Sequence, residues 1–114
     1  MAGFRELEVW KECRRLRLEI SRLCKKFPKS EDYLLKNQII RSSRSITANI
    51  AEGHGRFHYK ENIQFCRQAR GSLEETKDHL ITAFDEKYIT KEELKELNTI
   101  YEQCLKLLNG YIAY

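Results

Sequence analysis

Gln38 to Arg56 reads QIIRSSRSITANIAEGHGR, and the spacing inside it decides the fold. Ile39, Ser42, Ser43, Ile46 and Ile50 recur at threes and fours, so they share one face of a helix. That face is built partly from very small side chains, which lets a neighbouring backbone come close. Gly53 is expected to stop the helix, because a residue without a Cβ enters the left-handed conformation at no steric cost.

Working outward, the chain has one proline, Pro28, and no strand-like alternation, so it reads as almost entirely helical. A first helix is predicted from about Phe4 to Phe27. Val9, Trp10, Cys13, Leu16, Ile20, Leu23, Cys24 and Phe27 lie on its apolar side, and Pro28 ends it. The second is predicted from Ser30, as N-cap, with Glu31 and Asp32 in the first turn. A third begins near His58 or Tyr59 and carries the seam Cys66, Ala69, Leu73, Thr76, Leu80 and Ala83 or Phe84. After a short connection at Lys87 to Ile89, Thr90-Lys91-Glu92-Glu93 has the spacing of a capping box. The fourth helix follows with Leu94, Leu97, Tyr101, Cys104, Leu108 and Tyr111 in its seam, and Gly110 is expected to mark fraying. Short connections make successive helices antiparallel neighbours. The expectation is an all-α, up-and-down antiparallel four-helix bundle forming one domain over residues 1–114.

Several stretches together carry a family resemblance: FRELEVWK from Phe4, FPKSEDYLL from Phe27, SITANIAEGHGR from Ser45 and QARGSLEETKDHL from Gln68. Over Phe4 to Tyr111 the chain resembles the four-helix bundle proteins encoded within 23S rRNA intervening sequences. The resemblance implies a small bundle assembling into a ring-shaped homopentamer, with no defined biochemical activity. By analogy of fold it also resembles the accessory variability determinant of diversity-generating retroelements, a basic pentamer that works with nucleic acid.

Charge is distributed unevenly. Residues 1–30 hold nine lysines and arginines against four acids, residues 31–60 five against three, and residues 61–114 seven against ten. A positive first half and negative second half suit a polyanionic partner or contact between unlike faces of two copies. On the first helix Lys11, Arg14, Arg15, Arg22, Lys25, Lys26 and Lys29 fall within about 60° of one direction, opposite the apolar side. Such a stripe fits phosphate contact with RNA or DNA. It equally fits a solvated face, since Glu8, Glu12 and Glu19 each precede Lys11, Arg15 and Arg22 by three residues.

Other candidates lie beyond that stripe. Arg56 sits in the glycine-, cation- and aromatic-rich loop 53–60, which could approach phosphate or could be a turn in which Arg56 pairs with Glu52 and Phe57 caps the core. Arg41, Arg44 and Ala48 point away from the seam of the second helix, and Gly71 away from that of the third. An exposed mid-helix glycine costs about 1 kcal/mol against alanine, so a subunit interface is one account of these four positions.

Several function classes find no support. Cys13, Cys24, Cys66 and Cys104 form no CxxC pair and read as core thiols in a reducing compartment. His54 and His58 lack the ligand spacing to join Cys66 at a metal, and no cofactor is expected. Nucleophile–base pairs and paired carboxylates are missing at recognisable spacing. So is the arginine followed after four to six residues by histidine that marks helical ribonucleases of the HEPN class. No apolar run reaches the roughly 18 residues of a membrane span, and MAGFRELEVWKE lacks the pattern of a secretory signal. The expectation is a cytoplasmic, non-enzymatic homo-oligomer that binds RNA or DNA, the alternative being a scaffold for a protein partner.

Overall fold

The computed structural model describes residues 3–113; Met1, Ala2 and Tyr114 of the expected domain lie outside them. Four helices, α1 (Glu8–Cys24), α2 (Leu35–Gly55), α3 (Tyr59–Asp85) and α4 (Lys91–Ile112), form a bundle of about 42 × 25 × 21 Å. Neighbouring helices run antiparallel. Contacts from α2 to α3 descend in number on one side as they rise on the other: Ser42 to Thr76, Ser45 to Ser72, Gly53 to Asn62. α1 packs on α2 and α4, and α3 closes the square against α4.

The expected seams form the core. Cys13, Leu16, Ile39, Ile46, Ala69, Leu73, Ala83, Cys104 and Leu108 are wholly buried, with Phe84, Leu94 and Tyr111 packed partly against them. α2 and α3 make the most extensive helix pair because their facing side chains are small and can bond. Ser42 and Thr76 share a buried hydrogen bond of 2.8 Å, and the Thr76 hydroxyl donates to the Ser72 carbonyl. Ser72 donates to Ser45, which also accepts from Asn49. Buried hydroxyls tied in this way avoid the 1–3 kcal/mol or so that an unsatisfied polar group costs.

Gly53 overturns its expected role. It does not stop α2, which continues to Gly55, and its φ is not positive. It is needed for close approach instead: a Cβ there would lie 2.7 Å from Asn62 Oδ1 and 2.8 Å from Phe65 Cβ. Among the described residues the left-handed ones are Phe57 (φ 61°) between α2 and α3 and Lys87 (φ 65°) between α3 and α4. Neither is a glycine, so in both connections it is the chain's need to reverse that sets the backbone rather than intrinsic preference.

Other boundaries also shift. Phe4–Glu6 is a separate 3-10 turn, and extended Leu7 divides it from α1. The break lays the Phe4 ring edge-on against Trp10, centroids 5.2 Å apart. Ser30 lies in a second 3-10 turn and does not cap α2. Glu31 meets that need, its carboxylate accepting from the Leu35 N–H at 3.2 Å and from the Tyr88 hydroxyl at 2.7 Å. Thr90 and Glu93 do form the capping box. Gly110 lies inside α4 rather than at a frayed end.

Candidate nucleic-acid interface

The apolar side of α1 is committed to the core, which leaves Lys11, Arg14, Arg15, Arg22, Lys25, Lys26 and, just beyond the helix, Lys29 exposed. Four of them have acidic partners. Lys11 meets Glu8 at 3.5 Å, Arg15 meets Glu12 at 2.9 Å, Arg22 meets Glu19 at 2.7 Å, and Lys26 crosses to Glu93 on α4 at 2.5 Å. The lysine bond and the Thr90 N–H hold the Glu93 carboxyl below the usual range, and Glu19 raises Arg22 further. Arg14 stands over the Trp10 ring at 6.0 Å. Among the described residues Arg14, Lys25 and Lys29 have no carboxylate within 4 Å.

Two grooves flank α1, and their charge differs. Towards α4, Arg15 and Arg22 share a cleft with Glu19, Glu93 and Glu96, so opposite charges alternate there. Towards α2, Arg17 and Arg44 line an open groove with Ser21 and Thr47, over a floor that includes Trp10 and Ala48, and no acidic residue lines it. The basic stripe is therefore split: its α4 flank is locally balanced, and its α2 flank is not. Arg17 and Thr47 are absent from the sequence-derived set. At 100° per residue Arg17 falls outside the stripe's sector, and only the identity of the neighbouring helix gives it meaning.

Arg56 lies apart from α1. It caps α2, bonds Glu52 at 3.0 Å and stands 5.2 Å above the Phe65 ring. A shallow depression lined by Ala48, Ala51 and Glu52 lies between it and the α1–α2 groove. Of the residues assigned to a subunit contact, Arg44 and Ala48 share that groove. Arg41 lies exposed one turn before Arg44, and Gly71 is exposed on α3 with nothing within 4 Å of an added Cβ.

Among the described residues no three His, Cys, Asp or Glu side chains are placed to hold a metal ion, and no helix is long and apolar enough to cross a membrane. Residues 5–110 match the 23S rRNA-intervening sequence protein family. The chain belongs to this family. A solved relative is similar along nearly its whole length: a protein of unknown function from the S23 ribosomal protein family of Bacteroides thetaiotaomicron. It has a TM-score of 0.85 and 26% identity, covering 93% of this chain and 99% of that one. No curated protein matches. The bundle is thus shared with a relative of unknown function.

Proposed function

We propose that this protein is a non-enzymatic, homo-oligomeric accessory protein that binds RNA or DNA through the basic outer face of α1. The observation that carries the reading is that Lys11, Arg14, Arg15, Arg22, Lys25 and Lys26 are all exposed on a helix whose other side is buried. Their ion pairs do not argue against it. Exposed pairs contribute about 0–1 kcal/mol, so phosphate can displace the glutamates of Lys11, Arg15 and Arg22 at small cost. Arg56 extends the surface beyond α1. Self-association through Arg41, Arg44, Ala48 and Gly71, in a pentameric ring, repeats the stripe by symmetry and multiplies a weak contact into avidity.

Retention of single-stranded RNA by the purified protein tests this. Substituting glutamine at Arg14, Arg15, Arg22, Lys25 and Lys26 is expected to abolish it, and the wild-type affinity should fall steeply with salt, about 0.7 log per log for each phosphate neutralised. Unchanged retention in that variant sinks the reading. One observation favours the scaffold alternative: Leu18, Tyr33, Leu34, Phe57, Tyr59 and Ile81 are large apolar side chains left exposed. A wild type that takes no nucleic acid at any salt yet binds an acidic protein would decide for it.

A further inference from the structure

Arg17 is half-buried between α1 and α2. Its Nη1 donates to Thr47 Oγ1 at 2.9 Å, and Thr47, buried at 3% exposure, donates in turn to the Arg44 carbonyl at 3.2 Å. One neutral hydroxyl satisfies one of the five N–H donors of a guanidinium. Among the described residues neither Arg17 nor Arg44 has a carboxylate within 4 Å. A partly desolvated cation without a counter-ion is costly, and an anion in the groove would offset that cost.

We propose that the α1–α2 groove binds the phosphate groups of a single-stranded nucleic acid, with Arg17 and Arg44 as ligands and Thr47 as the residue that positions Arg17. The proposal deepens the nucleic-acid reading above and rests on it, moving the anchor from the outer face of α1 to its α2 flank. Phosphate is favoured over a lone carboxylate because the cations continue. Exposed Arg14 and Lys25 border the same flank of α1 at 100° per residue, and among the described residues neither has a carboxylate within 4 Å, whereas Arg56 at the far end of α2 is answered by Glu52. Arg14 and Lys25 are eleven residues apart, about 16 Å at 1.5 Å per residue. That length suits several successive phosphates, whereas one carboxylate would leave most of these cations unpaired. Apart from Ser21, the remaining lining is apolar, Phe4, Trp10 and Leu18 beside the small Ala48 and Ala51. Arginine's planar fork supplies paired donors that match phosphate oxygens.

The groove takes Arg44 and Ala48 for the nucleic acid and leaves Arg41 and Gly71 to the subunit contact, so Arg17→Gln, on the other helix and outside either version of that contact, is the deciding variant. Fluorescence anisotropy with a labelled single-stranded RNA of mixed sequence measures it, with thermal melts confirming that each variant folds. R17Q should weaken binding about fivefold or more, and R17Q/R44Q should lower the salt slope by about 1.4, the value for two phosphate contacts. T47V should weaken binding with T47S restoring it, because the serine keeps the acceptor for Arg17. R67Q/K106Q removes the same charge from α3 and α4 and should change affinity less than about twofold, since exposed charges beyond a Debye length are screened.

An unaffected R17Q, an equal loss in R67Q/K106Q, or polyglutamate of matched charge binding as tightly as RNA would each overturn the proposal. Should the five-residue stripe variant lose RNA while R17Q/R44Q keeps it, the groove fails and the stripe stands. The converse result sinks the stripe and leaves the groove. A wild type that takes no RNA removes the strand and leaves inorganic phosphate as the probe. In that arm an arginine Nε–H resonance shifting saturably with phosphate, not with chloride at equal ionic strength, and lost in R17Q, retains a free-phosphate site; no saturable shift rejects the groove altogether.

Discussion

The four cysteines are buried, and their chemistry follows from that. A hydrogen bond with Cys104 and then burial push the Cys13 thiol up, burial alone raises Cys66, and burial outweighs the nearby Lys36 to take Cys24 to about 11. Alkylating reagent at about pH 8, where an ordinary thiol is partly ionised, should leave the native protein unmodified and label all four positions once it is denatured. Rapid native labelling would contradict the packing. Glu93 shows the opposite shift, held low first by Lys26 and then by the Thr90 N–H. A depressed carboxyl stabilises the fold above its unfolded value of about 4.3 and ceases to as pH falls through the lower folded value. E93Q should therefore lower the urea midpoint at neutral pH and flatten its decline below about pH 4.5; acid limbs that stay parallel would show that the Lys26 pair contributes nothing. The capping half of Glu93's role is legible in Thr90-x-x-Glu93, because it is local. Its bond to Lys26, sixty-seven residues away, becomes visible only when α1 and α4 lie side by side.

Periodicity in α2, α3 and α4 names most buried positions, since a stripe at threes and fours has one way to face a core, but it misses Leu35, Thr47, Ile63 and Ile100 at the edges of the seams. Helix ends are less legible. Leu7 and Leu34 carry no side chain that accepts at a helix start, and Glu31 acts as a cap from outside α2 because the preceding turn folds it back onto Leu35. Gly53 is the clearest case: from sequence it reads as a terminator, and in the bundle it is the point where α3 presses on α2. G53A should consequently destabilise the protein by about 1–3 kcal/mol through overpacking, despite alanine's better helix propensity; a rise in melting temperature would mean that Asn62 and Phe65 can give way. T90A should cost about 1 kcal/mol by removing the cap of α4, and an unchanged denaturant midpoint would count against the capping box.

Gly71 raises a question that no single copy answers, because an added Cβ meets nothing and exposure gives no reason to forgo alanine. G71A should stabilise an isolated chain by about 1 kcal/mol while weakening any ring that needs the close approach. Native mass spectrometry at micromolar concentration checks both, and a monomeric wild type would remove the interface account of Gly71, Arg41 and Ala48. The charge asymmetry between the halves is plain from composition, yet composition cannot say which cations are already answered. α4 brings Glu93 and Glu96 against Arg15 and Arg22, and α2 brings only Arg44 against Arg17. Helix number, core membership and the outward direction of the α1 cations were all determined by the order of residues, because each depends on spacing within one helix. Which helix lies beside which flank, and therefore which arginines keep an unanswered charge, was decided by the packed bundle, since electrostatic compensation acts across space between segments that are remote in the chain.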